Sequence, residues 1–168
     1  MNNEIPAIAI KKNNWLLSQV DVAFPTKECL LGRDIYQQST QTKSYQLITP
    51  DGIDTGESQV DEIYKVDFHK LTVMFSLNQA TACRNESNKD NLLEFFSQII
   101  LCDEHTLYIG LSNGEVVASA ILTADEKSLL ISDVVHGQQG QSELSFVEQL
   151  ISVWKDAHGL KSQYWLES

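Results

Sequence analysis

The stretch Asp133-Val-Val-His-Gly-Gln-Gln-Gly-Gln-Ser142 decides how the rest of the chain is read. It follows a strand-like run, Ser128 to Val135, and opens an amphipathic helix. Ser142 is placed to cap that helix, Leu144, Val147, Leu150, Ile151 and Trp154 form one stripe, and Gly159 takes the position after its end. Backbone N–H groups in the first turn of a helix lack intrahelical partners and carry the positive end of its dipole, so a strand, a glycine turn and a helix start make a candidate anion site. A loop that needs glycine only to turn has the same sequence, and both readings stand at this point.

Upstream of the turn, Thr106 to Leu111 and Glu115 to Thr123 flank Asn113-Gly114, the strongest two-residue hairpin signal, since both positions need positive φ. Ala124 to Lys127 turns the chain into the strand from Ser128. Apolar side chains on both faces of these strands call for a sheet covered on both sides. Ser87 and Asp90 resemble a capping box before Leu92, Phe95, Phe96, Ile99 and Ile100, which predicts a helix of about 12 to 14 residues. Downstream, Tyr164-Trp165-Leu166 closes the chain as a strand.

The first half is less regular. Met1 to Asn14 reads as polar and loose, and Trp15 to Phe24 suits a short helix or a strand equally. Thr26 caps an expected helix from Lys27 to about Gln38. Ser44 to Thr49 reads as a strand ending in the turn Pro50-Asp51-Gly52, followed by a polar loop from Asp54 to Asp61. From Leu71 to Leu77 the apolar residues alternate strictly, which predicts a half-buried strand, with a second strand before it from Glu62; Asn78 to Asn88 reads as a turn-rich seam.

The 168 residues fit a single domain, with residues 1–85 as a divergent half and 86–168 carrying the glycine turn. No apolar run approaches the roughly 18 residues that span a membrane. Ile5 to Ile10 is too short for a signal-peptide core, so a cytoplasmic chain without membrane contact is expected. Cys29, Cys83 and Cys102 are odd in number and widely spaced, as expected of buried thiols rather than a disulfide framework or zinc site. His69, His105 and His158 show no metal-ligand spacing, and no Ser or Cys stands in a nucleophile elbow, so neither a metal site nor hydrolase chemistry is expected. Residues 1–85 hold eight Lys/Arg and ten Asp/Glu; residues 86–168 hold four and thirteen, a net −9. Such a surface repels nucleic acid and attracts cations.

From Asn88 the order is helix, three strands, glycine turn, helix, strand. This order, with Gly137-Gln-Gln-Gly140-Gln-Ser142 at the turn and Leu166-Glu167-Ser168 at the close, resembles the GNAT superfamily of acyl-CoA-dependent N-acyltransferases over about 80 residues. The family's loop, Q/R-x-x-G-x-G/A, holds the coenzyme A pyrophosphate; here the central glycine and the small last residue are kept, and Gly137 stands in the leading position. The resemblance implies an α+β fold with a mixed, mainly antiparallel sheet and helices on both faces, without the family's elements beyond its fifth strand. It implies acetyl-CoA or another acyl-CoA as co-substrate, bound by the backbone at Val134 and Val135 and by Gln138, Gln139, Gly140, Gln141 and Ser142. An amine would be the acceptor, and Asp133, near where the family places a carboxylate base, His136 and Glu167 are the candidate catalytic residues. A solvated Asp133, an exposed His136 and a frayed Glu167 are the plain alternatives; Tyr108 and Tyr164, candidate acids for the thiolate, read equally as packing. The strand at Gln163 to Leu166 would be an aromatic sheet edge without further cover, so either strands from residues 43–77 or a second subunit in a homodimer must lie beside it. A non-catalytic GNAT-like module that binds a protein partner or a small ligand is the competing function.

Overall fold

The computed structural model describes residues 4–49, 60–137 and 141–168, with only the backbone described at Gln141 and Ser142. Its centre is a mixed sheet of β1 (Tyr45–Ile48), β2 (Glu62–Lys65), β3 (His105–Ser112), β4 (Glu115–Ala124), β5 (Ser128–His136) and β6 (Gln163–Glu167), in the spatial order β1-β6-β5-β4-β3-β2. Only β5 and β6 run parallel. A parallel pair needs a long crossover, and α5 (Gln141–His158) supplies it. Its last turn ends at Gly159, whose φ of +89° suits the residue after a helix and whose N–H donates to Lys155 O at 2.7 Å. The hairpin between β3 and β4 turns at Asn113 and Gly114 with φ of 53° and 79°.

Helices cover both faces. Under α5, Phe146, Val147, Leu150, Ile151 and Trp154 pack on alternate strand residues: Tyr108, Ala118, Ala120, Leu122, Leu129, Ile131, Tyr164 and Leu166. Phe146 belongs to this stripe in place of Leu144, which is exposed. The opposite face carries α1 (Ala7–Leu17), α2 (Lys27–Thr40), α3 (His69–Ala80) and α4 (Glu86–Phe96). There Phe75, Phe95, Phe96 and Tyr36 pack on Leu107, Ile109 and Ile121, while Ile8 and Ala9 of α1 cover Leu130.

The aromatic edge of β6 is covered from within the chain. β1 pairs with it antiparallel, Tyr45 opposite Glu167 and Ile48 opposite Tyr164, and Ser44 and Ser168 exchange backbone hydrogen bonds. β2 pairs instead with β3 at the far side of the sheet.

Several local expectations are corrected. Residues 7–14, expected to be loose, form α1 together with Trp15 to Leu17, whose sequence suits a helix or a strand equally, because Ile8, Ala9, Lys12 and Leu16 make a buried stripe in which a lysine stands at a core position. Leu71 to Leu77, expected as a strand, lies in α3. Its buried stripe is Thr72, Phe75, Ser76 and Gln79, largely polar, whereas Leu77 faces solvent. The helix expected from Ser87 is capped by Asn85, whose side chain accepts from Ser87 N and Asn88 N, and it ends at Phe96 after 11 residues. The helix at Lys27 is capped as expected, Thr26 accepting from Cys29 N, and runs to Thr40. Of the three thiols only Cys29 is buried; Cys102 is exposed. The turn at Pro50-Asp51-Gly52 and nearly all of the loop after it lie outside the described residues.

Candidate functional site

The strand that carries the candidate residues is irregular where they begin. Along β5, Leu129 and Ile131 point toward α5, and Leu130 and Ser132 toward the other face, so strict alternation would turn Asp133 to α5. It does not go there. Ser119 lies opposite Val135 and Ile121 opposite Ser132, so Asp133 and Val134 together face Ala120, and Asp133 has a φ of 53°. This is a β-bulge with its extra residue in the left-handed region, a device that re-aims a side chain. Asp133 therefore shares with Ser132 the face covered by α1 and α2, and Ser132 Oγ donates to Asp133 Oδ2 at 2.7 Å.

On that face four elements converge. Lys12 of α1, completely buried, donates to Asp133 Oδ2 at 3.1 Å, to Glu167 Oε2 at 3.0 Å and to Tyr36 Oη at 2.7 Å. The Tyr36 hydroxyl, from α2, donates to Asp133 Oδ1 at 2.7 Å, and the Tyr45 hydroxyl, from β1, to Glu167 Oε2 at 2.9 Å. Asp133 N donates to Glu167 Oε1 at 3.3 Å, which ties β5 to β6 just beyond their last paired residues, Ile131 and Leu166. Behind the bulge, Gln79 of α3 donates to Asp133 O at 2.6 Å and to Ser119 Oγ at 2.9 Å. Ser119 in turn donates to Asn78 Oδ1 at 2.6 Å.

Lys12, Tyr36 and Asp133 are fixed in their protonation. Burial disfavours the Lys12 ammonium, but Asp133 and Glu167 more than offset this and raise its pKa above 10.5. Burial likewise disfavours the Asp133 carboxylate; Lys12, with hydrogen bonds from Ser132 and Tyr36, outweighs it and holds the pKa below 3.8. Burial, then the neighbouring acids, raise the Tyr36 phenol well above its ordinary 10.0. A general base works best with a pKa near the working pH, so an Asp133 held this low is a weak one. Two acidic side chains face the Lys12 ammonium, and the charge of Lys43 also reaches Asp133.

In front of Asp133 opens a cleft of about 310 Å³, at the small end of the range for ligand pockets. Its floor is Asp133, Val134 and Val135; Ile35, Leu92 and Phe96 give it apolar walls, and Lys43 stands in its lining. β5 has here run past its pairing with β6. Gly137 N–H donates to Val117 O of β4, and N–H groups alternate sides along a strand, so Val135 N–H turns to β4 and Val134 N–H to the side that β6 has left.

Asp133 and Glu167 are thus brought together, both buried rather than solvated or frayed. His136 is not with them. It lies opposite Ala118 on the α5 face, its ring 6.1 Å from that of Phe146. Tyr108 and Tyr164 are packed under α5, the Tyr164 hydroxyl accepting from Lys161 N at 3.0 Å. Gln138, Gln139 and Gly140 lie outside the described residues, and Gln141 and Ser142 form the first turn of α5. Sequence reasoning missed Lys12, Tyr36, Tyr45, Lys43 and Gln79. The one available signal was the spacing Ile8, Lys12, Leu16, a helical stripe interrupted by a charge.

No protein-family model matches the chain, and no curated protein sequence does. Solved structures do. A conserved protein of unknown function from Staphylococcus epidermidis superposes with a TM-score of 0.55 at 11% identity, over 80% of this chain and 55% of its own. A GCN5-related N-acetyltransferase from Kribbella flavida gives 0.50 at 11% identity, over 80% of this chain and 53% of its own. The chain spans about half the length of these neighbours. The order of elements, the parallel β5–β6 pair joined by α5 and these superpositions identify the chain as having a GNAT-like fold.

Proposed function

We propose that the protein transfers an acyl group from an acyl-CoA to an amine bound in the cleft before Asp133. The observation that carries this reading is the position of the cleft, which opens onto β5 where the strand has parted from β6. A backbone edge at Val134 fits an amide-bearing arm laid along it, and the first turn of α5 fits a pyrophosphate. An acyl-CoA supplies an activated thioester carbonyl. In the transfer one N–C bond forms and one C–S bond breaks; the ammonium loses two protons, one reaching the departing thiolate and the other solvent. A thiol with a pKa near 8.5 departs without a strong acid. Asp133, in the floor of the cleft, attracts and orients the ammonium rather than taking its proton.

Thermal unfolding with acetyl-CoA and with free CoA tests the reading, because free CoA carries the parts common to every acyl-CoA. Ligand at 100 times Kd adds about 2.7 kcal/mol, which raises the Tm by on the order of 5 to 10 °C in a chain of this size. No shift with either at millimolar concentration would sink the proposal. A binding module without transfer activity is the second reading, favoured by the fixed protonation of Lys12, Tyr36 and Asp133. It predicts a ligand-induced Tm shift with no release of thiol.

A further inference from the structure

The two charged ends of the cleft define the acceptor more closely. Lys43 lines it, half-buried, just beyond the end of α2; among the described residues no acidic side chain is within ion-pair distance of its ammonium, although its charge reaches Asp133 across the cleft and favours that carboxylate. At the floor, Asp133 Oδ1 accepts only the Tyr36 hydroxyl among the described residues, so it keeps capacity for a second donor. Between these ends the walls are hydrocarbon and aromatic: Ile35 from α2, Leu92 and Phe96 from α4, Val135 from β5. A ligand that satisfies all three regions carries a cationic nitrogen, an apolar body and an anionic group, and at about 310 Å³ it is small.

We infer that the cleft binds an apolar α-amino acid, its carboxylate on Lys43, its hydrocarbon side chain against Leu92 and Phe96, and its ammonium toward Asp133. The inference rests on the transferase reading for its chemistry, since this ammonium is the nitrogen that would be acylated, but the binding itself does not require CoA. A neutral or purely cationic amine leaves the Lys43 ammonium without an ion-pair partner among the described residues, in a partly desolvated wall. A plain carboxylic acid brings like charge against Asp133. The amino acid alone avoids both costs.

Calorimetric titration of the full chain separates these cases. The probes are L-leucine and L-phenylalanine, their decarboxylated amines 3-methylbutylamine and 2-phenylethylamine, and the deaminated acids 4-methylpentanoate and 3-phenylpropanoate. At least one of the two amino acids is expected to bind more tightly than its own amine and acid. Lys43→Met should weaken the amino acid by about tenfold or more, the scale of one charge-assisted hydrogen bond, and leave the amine within twofold. Lys43→Glu should invert the preference in favour of the amine. Lys43 makes no ion pair among the described residues but its charge favours the Asp133 carboxylate, so Lys43→Met should lower the Tm by only a few degrees and Lys43→Glu by more, and an unchanged far-ultraviolet circular dichroism spectrum checks that the fold is kept. Absence of amino-acid binding at 10 mM, or binding unchanged in Lys43→Met, overturns the inference. If acetyl-CoA binds and no amino acid does, only the acceptor assignment fails. If amino acids bind and CoA does not, the transferase reading fails while the ligand class stands.

Discussion

Replacing Lys12 by methionine tests whether the buried cluster is as tightly coupled as its geometry implies. Methionine keeps most of the side-chain volume and removes the charge, so Asp133 and Glu167 lose the ammonium that sits 3.1 and 3.0 Å from them while staying out of water. Removing one partner of a buried ion pair costs about 3–5 kcal/mol, largely because the other charge is left uncompensated. In urea denaturation at pH 7 the variant should lose that amount, with a fall in Tm on the order of 10 °C. The pH dependence is the sharper readout. In the parent, Asp133 has a folded pKa below 3.8, so its contribution is present above pH 4 and is lost as pH falls through that lower value. Lys12 has a folded pKa above 10.5, so its contribution is intact below that pH and is lost only in strong alkali. In the variant the Ser132 and Tyr36 hydrogen bonds remain but the largest opponent of burial is gone, so the Asp133 pKa moves up; a carboxyl moved up in this way loses part of its stabilising contribution as pH rises. The gap between parent and variant should therefore be widest near pH 7 and narrow toward pH 4.5. A loss under about 1 kcal/mol, or a gap of equal size at both pH values, would refute the coupling.

Two further outcomes follow from other sites. A Cβ at Gly32 would collide with the carbonyl oxygen of Asn91 and lie 2.6 Å from Phe95 Cβ, so Gly32→Ala should force α2 from α4 and cost about 1–3 kcal/mol in thermal unfolding, despite alanine's better helix propensity. His105 stacks on Trp15 at 4.3 Å, and burial, with Lys11 nearby, lowers its pKa to about 4. Its NMR titration should show a midpoint near 4; because the unfolded chain binds the proton first, stability should fall as pH drops from 6.5 toward 4, and His105→Phe should flatten that slope.

The second half of the fold was legible because each of its signals is local. Asn113-Gly114 demands positive φ whatever surrounds it, and Val147, Leu150, Ile151 and Trp154 repeat at helical spacing on the sheet-facing side of α5. α1 and α3 were not legible, because their buried stripes contain side chains that are stable there only through distant partners. Lys12 is buried because Asp133 and Glu167, 121 and 155 residues away, accept its protons. Gln79 is buried because the carbonyl of Asp133 and the hydroxyl of Ser119 receive its amide. A pattern search scores both as surface residues, and then Leu71, Val73, Phe75 and Leu77 read as a strand.

The site was half legible for a related reason. Its acids could be picked out by their place near the ends of two strands, but their state could not, because that depends on one backbone angle. With regular alternation Asp133 would turn toward the α5 face with Leu129 and Ile131, and Lys12 would keep Glu167 as its one acidic partner in the cluster. The positive φ at Asp133 moves the carboxylate through the sheet to Lys12, and the same bulge turns the Asp133 carbonyl to Gln79 and its N–H to Glu167. Asp133 tolerates that conformation better than most non-glycine residues. The bulge thus joins two requirements that pull apart elsewhere in the sheet: an irregular strand, open at Val134 to a ligand, and a strand end anchored firmly to α1, α3 and β6. An acid held by Lys12, Tyr36 and Ser132 cannot also shuttle protons at neutral pH. Its chemical use is therefore positional, and any base for acyl transfer must be sought outside the cluster.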